Sequence, residues 1–411
     1  MMVQGASAAR LKLQQDSRAF ARTVLAGAAE YWVKEATPES RFLATRPYYE
    51  VLVSNGYLRR LIPRSAGGDS LGLLDDAVVL EELYTVDPSI TLTLVATVLG
   101  LQPLIVAGTD EQKRRFLAPF LTVEGAPLAA FCSSEPGGSA NAASPPPGEG
   151  VRTTAGVGGN GWRVNGAKKW VSSATGWQRE GADLLCIVAR TGSALEPGRG
   201  VSVLVTERPA QGLIFERAID GVGHRGHLTC EFSFQDLPIP ADGMLGEEGA
   251  GLEIVGRSFL GAAALVGILS TALMRAAFDY ALEFARTERR GGLHPIIEHQ
   301  AVGHALVEAK TRIEAVRSLS LRACEAIDLG HPAAVELANM SKVFCSEMAV
   351  DTIASLVRVV GIESYDERCP LADLARDAMA MPIFAGGNLG VRMKALHSIL
   401  MKEGYDPLPS I

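Results

Sequence analysis

The pattern of apolar and polar residues changes twice along the chain. Before about residue 125 and after about residue 245, apolar residues recur at helical spacing, as in the set Ile313, Val316, Ala323 and Ile327. Between these regions Gly and Pro are dense and short runs alternate, as in Cys230, Phe232 and Phe234. The pattern predicts a mostly α, α+β protein with three domains: an N-terminal helical domain over 1–125, a β-barrel-like domain over 126–244 and a C-terminal four-helix bundle over 245–411.

Local signals refine this picture. The segment Asp110–Leu117 has an acidic first turn followed by basic residues, which predicts the start of a helix. Asn165-Gly166 stands between two strand-like runs and predicts a hairpin turn. Two uncharged stretches, 88–109 and 258–274, approach the length of a membrane span. The first contains Thr, Gln and Pro and the second is short and rich in Ala and Gly, so we expect buried helices and no membrane partner.

Composition excludes several classes of function. The chain has 411 residues, of which 47% are apolar and 21% charged, so it is not a disordered protein. Its net charge of -7 argues against nucleic acid as a partner. The six cysteines are dispersed without a CxxC pair, which argues against a disulfide framework and a structural zinc site. The N-terminus has no apolar secretory segment, so we expect a cytoplasmic protein.

Four short motifs carry the chemical signal. They are FCSSEPGGSAN (131–141), KKWVSS (168–173), TERRGG (287–292) and IFAGGN (383–388). A Ser- and Gly-rich loop and a Trp beside hydroxyls suit a flat aromatic cofactor, and paired arginines suit a pyrophosphate. Taken singly, each also fits an ordinary loop, strand or helix end. The chain lacks the GxGxxG, GxxxxGK[ST], HExxH and GxSxG patterns, so Rossmann, P-loop, metalloprotease and α/β-hydrolase sites are not indicated.

Together the four motifs resemble those of the acyl-CoA dehydrogenase superfamily, over about Leu71 to Tyr405. The likeness includes Ser134-Glu135-Pro136, Trp170-Val171-Ser172, Glu298-His299-Gln300 and Arg376-Asp377. Within the superfamily the chain is most similar to the nitroalkane oxidase branch, above all in FAGGNLGVR. The resemblance implies helical, β and four-helix-bundle domains, FAD as cofactor, and a homodimer or homotetramer.

The resemblance also implies roles for individual residues. Ser172 would lie near the flavin N5 atom and Trp170 would pack against the ring. The other residues implied at the flavin end are Phe131, Ser133, Ser134, Ser139 and Ala140. Those implied at the pyrophosphate and adenine, across a subunit interface, are Arg289, Arg290, Gln300, Gly361, Gly387 and Asn388.

One departure from the family pattern bears directly on catalysis. The family has a Glu or Asp that removes a proton where this chain has Ala385, and Gly261 stands at the alternative base position of some members. Ala262 replaces the serine that supports the oxidase's aspartate, whereas the neighbouring Arg392 is retained. A methyl group accepts no proton, and general base catalysis contributes roughly 100- to 10,000-fold.

Several interpretations remain open. The substrate is a small organic acid or an intermediate of secondary metabolism. If it is a β-keto acid that loses CO2, the reaction needs no base, and Arg392 would bind the carboxylate of the substrate. Alternatively, the protein is a monooxygenase, or a non-catalytic FAD-binding relative. A further alternative is acyl-CoA dehydrogenase or nitroalkane oxidase activity with a base from elsewhere, for which Asp366, Glu367 and His397 are candidates. We favour an FAD-dependent oxidoreductase with O2 as acceptor, and with Arg392, Ser172 and the vacant base position Ala385 at its catalytic centre.

The pair His224 and His227, in the segment HRGH, has the spacing of two metal ligands. No third ligand follows nearby, and a site with only two protein ligands is weak. We therefore expect a structural or loop-lining role and no metal.

Overall fold

A computed structural model describes residues 8–144, 147–148, 150–192, 200–209 and 211–407. The first seven residues, used above to predict localisation and placed in the first predicted domain, lie outside the described residues. The N-terminal part is helical, as the apolar spacing predicts. Its helices are α1 (Ala8–Phe20), α2 (Ala29–Trp32), α3 (Pro38–Ser54), α4 (Tyr57–Arg60), α5 (Leu73–Tyr84), α6 (Pro88–Ala107) and α7 (Asp110–Phe116).

The predicted helix start at Asp110 is confirmed, and its cause is visible. The Thr109 hydroxyl accepts a hydrogen bond from the Gln112 N–H, and the Gln112 side chain accepts one from the Thr109 N–H. This reciprocal pair satisfies two donors that a helix N-terminus would otherwise leave unpaired. Asp87 caps α6 in a similar way, by accepting from the Ile90 N–H. The caps fix where two of the helices over the sheet begin.

The centre of the chain forms one mixed sheet of eight strands, ordered β6-β7-β3-β2-β4-β5-β8 with β1 beside β4. β1 runs parallel to β4, and β3 runs antiparallel to both β2 and β7. The strands are β1 (Ala129–Cys132), β2 (Thr154–Gly158), β3 (Gly161–Ser172), β4 (Leu184–Arg190), β5 (Val201–Glu207), β6 (Leu213–Ile219), β7 (Thr229–Pro240) and β8 (Met244–Leu245).

The hairpin predicted at Asn165-Gly166 is wrong. Both residues lie inside the continuous strand β3, at a register shift against β7 between Val164 and Gly166. The Asn165 amide donates to Asp236 on β7, and its oxygen accepts from the Asp236 N–H. A Cβ at position 166 would come within 2.6 Å of Thr153 Cα, so glycine is needed for close approach. The Asn-Gly pair therefore forms a bulge, and the turn falls earlier, between β2 and β3.

The C-terminal part is again helical. Its helices are α8 (Gly251–Thr287), α9 (Gln300–Asp328), α10 (Ala334–Val360), α11 (Pro370–Ala380) and α12 (Met393–Leu400). α8, α9 and α10 pack against one another, and α5 and α6 pack against α8. The predicted face of α9 is confirmed, because Ile313, Val316 and Ala323 are buried in the bundle.

By length and composition α6 and α8 could both cross a membrane. In the fold, about half of the most apolar window of each helix is buried, and the two helices contact each other. Core helices of this kind pass the same test. That the chain has no membrane partner stays a prediction.

Candidate active site

Ala385, which the resemblance places at the base position, lies in a tight turn between α11 and α12. Ala385 has φ +51°, a left-handed conformation that disfavours a residue with a Cβ, and Gly386 follows with φ +79°. The turn is closed by Arg392, whose Nε and Nη2 donate to the Ala385 carbonyl at 3.2 and 2.6 Å. Nη1 of the same guanidinium donates to Asn339 Oδ1 on α10 at 3.1 Å. Ala385 thus sits directly beside a buried cation.

The charge of Arg392 has no anionic counterpart in the described part of the chain, where its contacts are a carbonyl and an amide. Burial lowers its pKa to about 10. A second buried cation, Lys342, donates to the Met381 carbonyl at 2.6 Å and to Asn388 Oδ1 at 2.9 Å. Burial, and then repulsion by Arg392, lower the pKa of Lys342 to about 7. Two buried cations therefore lie at the turn, and the carboxylate of Glu347, which accepts from Asn388, partly offsets the charge of Lys342.

The alternative base positions offer no carboxylate at the turn. Gly261 faces α5, since a Cβ there would lie 3.5 Å from Leu73. Asp366 accepts from Arg368 at 2.6 Å, and the side chain of Glu367 is largely exposed, 3.6 Å from Arg376. His397 lines an open apolar groove on α10 and α12, together with Met340, Leu389 and Met393. The geometry thus gives none of the three a place beside Ala385.

Trp170 and Ser172 lie at the end of β3, where a register shift against β7 spans Lys169 and Val171. Trp170 has φ +65°, and 57% of its surface is exposed. A residue in a regular strand has an extended backbone with negative φ. The bulge gives Trp170 a left-handed backbone instead and turns its indole out of the sheet. An exposed tryptophan held in a strained conformation is typical of a binding surface.

The Ser- and Gly-rich loop, residues 131–141, contacts both this strand and the turn that contains Ala385. The Ser134 carbonyl accepts from the Lys169 N–H at 3.1 Å, which ties the loop to β3. At the other end of the loop, Ala140 Cβ lies 3.1 Å from where a Cβ at Gly390 would stand. Phe131 stacks on Phe259 of α8, with ring centroids 5.2 Å apart. The structure therefore brings the loop, β3 and the turn together, and half-buried Ser133 and exposed Ser139 lie along that loop.

The predicted pyrophosphate and adenine residues fall into two groups. Arg290 donates to the Val360 carbonyl and pairs with Glu363 at 2.5 Å, directly beside Gly361. Arg289 is exposed on the same α8–α9 connection, and Gln300, the first residue of α9, is exposed as well. The second group, Gly387 and Asn388, belongs to the turn that contains Ala385. The Asn388 side chain is buried and bonded to Lys342, Ser346 and Glu347, so it holds the turn together.

Comparison with known proteins identifies the family. Three domain models of acyl-CoA dehydrogenases match: the N-terminal domain over 7–124, the middle domain over 130–237 and the C-terminal domain over 249–397. The chain is 38% identical to the nitroalkane oxidase of Podospora anserina, covering 97% of this chain and 96% of that one. It is 33% identical to the nitroalkane oxidase of Fusarium oxysporum, covering 98% and 95%. The solved Podospora anserina enzyme superposes with a TM-score of 0.94 at 36% identity, covering 99% of each chain.

The chain belongs to the acyl-CoA dehydrogenase family. Its nitroalkane oxidase and acyl-CoA dehydrogenase relatives are FAD-dependent flavoproteins, so this family member is a flavin-dependent oxidoreductase and FAD is its cofactor. The structure fits that cofactor. The outward indole of Trp170 offers a flat apolar face two residues before the hydroxyl of Ser172, and the Lys169 ammonium lies 5.3 Å from the ring centroid.

Sequence reasoning missed several residues of this site. Lys342 and Asn339 lie on the helix α10, whose periodicity gives no hint of a polar site. Tyr84 bonds His224 Nε2 at 2.5 Å, and the His224 N–H donates to Asp377 at 2.5 Å. The HRGH spacing did single out the two histidines, but only the fold shows their partners. The described residues contain no group of three candidate metal ligands.

Proposed function

We propose that this family member is an FAD-dependent oxidase that acts on a small organic anion of the β-keto acid class, with O2 as acceptor. The observation that carries the proposal is the pairing of Ala385, a methyl at the base position, with the buried and unneutralised guanidinium of Arg392. Such a site lacks a carboxylate base at position 385 but attracts a negative charge.

The free donors of Arg392 suit a carboxylate. A guanidinium carries five N–H groups, and three hydrogen bonds reach the Ala385 carbonyl and Asn339. One N–H on each terminal nitrogen is left without an acceptor among the described residues. A carboxylate accepts two such parallel donors and would neutralise a charge that burial makes costly.

Loss of CO2 would replace proton abstraction. When a β-keto acid releases CO2, the bonding electron pair stays on the α carbon as an enolate, so the carbanion forms without a base. The cationic turn around Ala385 then stabilises negative charge near the reacting carbons. FAD, when bound, would accept a hydride from the carbon next to the carbanion, which leaves an α,β-unsaturated ketone, and O2 would reoxidise the flavin.

Family members assemble as oligomers that bind small-molecule substrates, as the butyryl-CoA dehydrogenase relative illustrates. For this chain we propose a homodimer or homotetramer. Arg289 and Arg290 on the α8–α9 connection and Gln300 at the start of α9 are exposed, which leaves them accessible to the FAD of a second copy. Two arginines are suited to the charge of a pyrophosphate.

The test is anaerobic mixing of the holoenzyme with β-keto acids, nitroalkanes and acyl-CoA thioesters, followed by flavin absorbance. We expect a β-keto acid to bleach the flavin, and we expect Arg392→Met to raise the concentration needed for half-maximal rate. Rapid bleaching by a simple nitroalkane or an acyl-CoA would overturn the proposal. Bleaching by none of the three classes would support the non-catalytic interpretation.

A further inference from the structure

A buried chain of hydrogen bonds runs from α6 to the hydroxyl of Ser172. His227 is its centre: Nδ1 lies 2.9 Å from Thr93 Oγ1, and Nε2 lies 2.9 Å from Ser172 Oγ. Thr93 also donates its hydroxyl to the Ser89 carbonyl, one turn earlier on α6, at 3.2 Å. Thr93 is fully buried, and only 7% of the surface of His227 is exposed.

The bond from Thr93 to the Ser89 carbonyl favours one direction for each hydrogen bond along this chain. A threonine hydroxyl has one hydrogen, and here it goes to the Ser89 carbonyl, so Thr93 Oγ1 accepts from Nδ1–H. Burial, and then repulsion by His224, lower the pKa of His227 to about 3, which keeps the imidazole neutral. A neutral ring with a hydrogen on Nδ1 has a bare Nε2, and Ser172 must donate its only hydroxyl hydrogen to it.

We propose that His227 is a positioning residue that commits the Ser172 hydroxyl hydrogen to the protein, so that Ser172 offers only lone pairs to the flavin. The proposal rests on the family assignment of Ser172 to flavin N5 and is independent of the substrate class. Oxidised N5 accepts hydrogen bonds, whereas reduced N5 carries a hydrogen and donates one. A serine that can only accept therefore favours reduced over oxidised FAD.

The surroundings of His227 hold this arrangement in place. The backbone N–H of His227 donates to the His224 carbonyl at 2.8 Å, and the backbone N–H of His224 donates to Asp377. The intervening Gly226 donates to Ser89 Oγ at 3.2 Å and sits against Trp32, where a Cβ would come within 3.0 Å. The opposite tautomer, with the hydrogen on Nε2, would forfeit the bond from Thr93 to the Ser89 carbonyl. The loop is thus built to present one edge of the imidazole to Ser172.

The first test is the midpoint potential of the bound flavin in holoenzyme variants. In His227→Phe, Ser172 is free to donate to oxidised N5, and we expect the preference for reduced flavin to fall about tenfold. That change lowers a two-electron potential by about 30 mV. His227→Gln, which restores an acceptor, should recover part of the shift. In a Ser172→Ala background, His227→Phe should have no further effect.

Thr97→Val is the matched control, because Thr97 lies one turn further along α6 and bonds only Tyr49 among the described side chains. It should leave the potential unchanged. An unchanged or raised potential in His227→Phe, or a shift that persists without the Ser172 hydroxyl, would overturn the proposal.

The second test reads the imidazole directly and does not depend on the flavin potential. In 15N-histidine-labelled holoenzyme, the nitrogen chemical shifts of His227, assigned among the seven histidines by their loss in His227→Phe, should report a neutral ring protonated on Nδ1 at pH 7. A ring protonated on Nε2, or a doubly protonated ring, would overturn the proposal, whatever the variants do.

Discussion

Replacing Ala385 by aspartate should stabilise the protein, although it adds a charged group to a half-buried turn. The cation beside position 385 is Arg392, whose pKa burial lowers to about 10. At 1.36 kcal/mol per pKa unit, that depression corresponds to about 3 kcal/mol of unfavourable charge burial. A carboxylate at 385 would offset much of it, because hydrogen bonds to charged groups contribute about 1.5–3 kcal/mol.

The backbone favours the same substitution. Ala385 has φ +51°, a conformation in which aspartate and asparagine occur more readily than alanine. Asparagine is therefore the matched control, since it shares the shape and the backbone preference but lacks the charge. The excess stability of A385D over A385N should be about 1–3 kcal/mol at pH 7.

The sign of the pH dependence follows from the direction of the pKa shift. Next to a guanidinium, the new carboxyl group has a lower pKa in the folded than in the unfolded state. Its stabilisation is complete above the unfolded pKa of about 4 and is lost as pH falls through the folded value. Urea unfolding at several pH values measures this. Equal stability of the two variants at pH 7 would refute the idea that Arg392 lacks a counter-ion.

Two further outcomes are expected. Burial lowers the pKa of Lys342 to about 7, so the Lys342 amine binds its proton less tightly in the folded than in the unfolded protein. The free energy of unfolding of the wild type, measured relative to that of Lys342→Met, should therefore rise as pH increases from about 7 to 10. Gly166→Ala places a Cβ 2.6 Å from Thr153 Cα and should cost about 1–3 kcal/mol by urea unfolding, whereas Gly156→Ala on β2, where no atom lies within 4 Å, should be nearly neutral.

The sequence was most informative where local chemistry determines structure. The acidic first turn at Asp110 and the apolar face of α9 predict their helices, because charge placement and periodicity act within a few residues. Asn165-Gly166 misled for the converse reason. Its local turn preference is overridden by pairing with Asp236, 71 residues further along the chain.

The site was predictable only where a family motif covers it. Ala385 and Arg392 belong to one short motif, and the structure places them in contact. The partners of His227 lie 134 and 55 residues away, on α6 and β3, so no local sequence pattern predicts these contacts. Lys342 occupies an ordinary position of an amphipathic helix, and only packing brings it to the turn.

The most direct test of base-free chemistry is the number of CO2 molecules released for each flavin reduced. The holoenzyme would be mixed anaerobically with a limiting amount of a β-keto acid carrying a labelled carboxyl group, and flavin absorbance and labelled CO2 would be followed together. We predict one CO2 per reduced flavin, released no later than the bleaching. Flavin reduction without CO2 release would contradict the account, because the electrons would then have to follow removal of a proton by another base, such as the buried amine of Lys342.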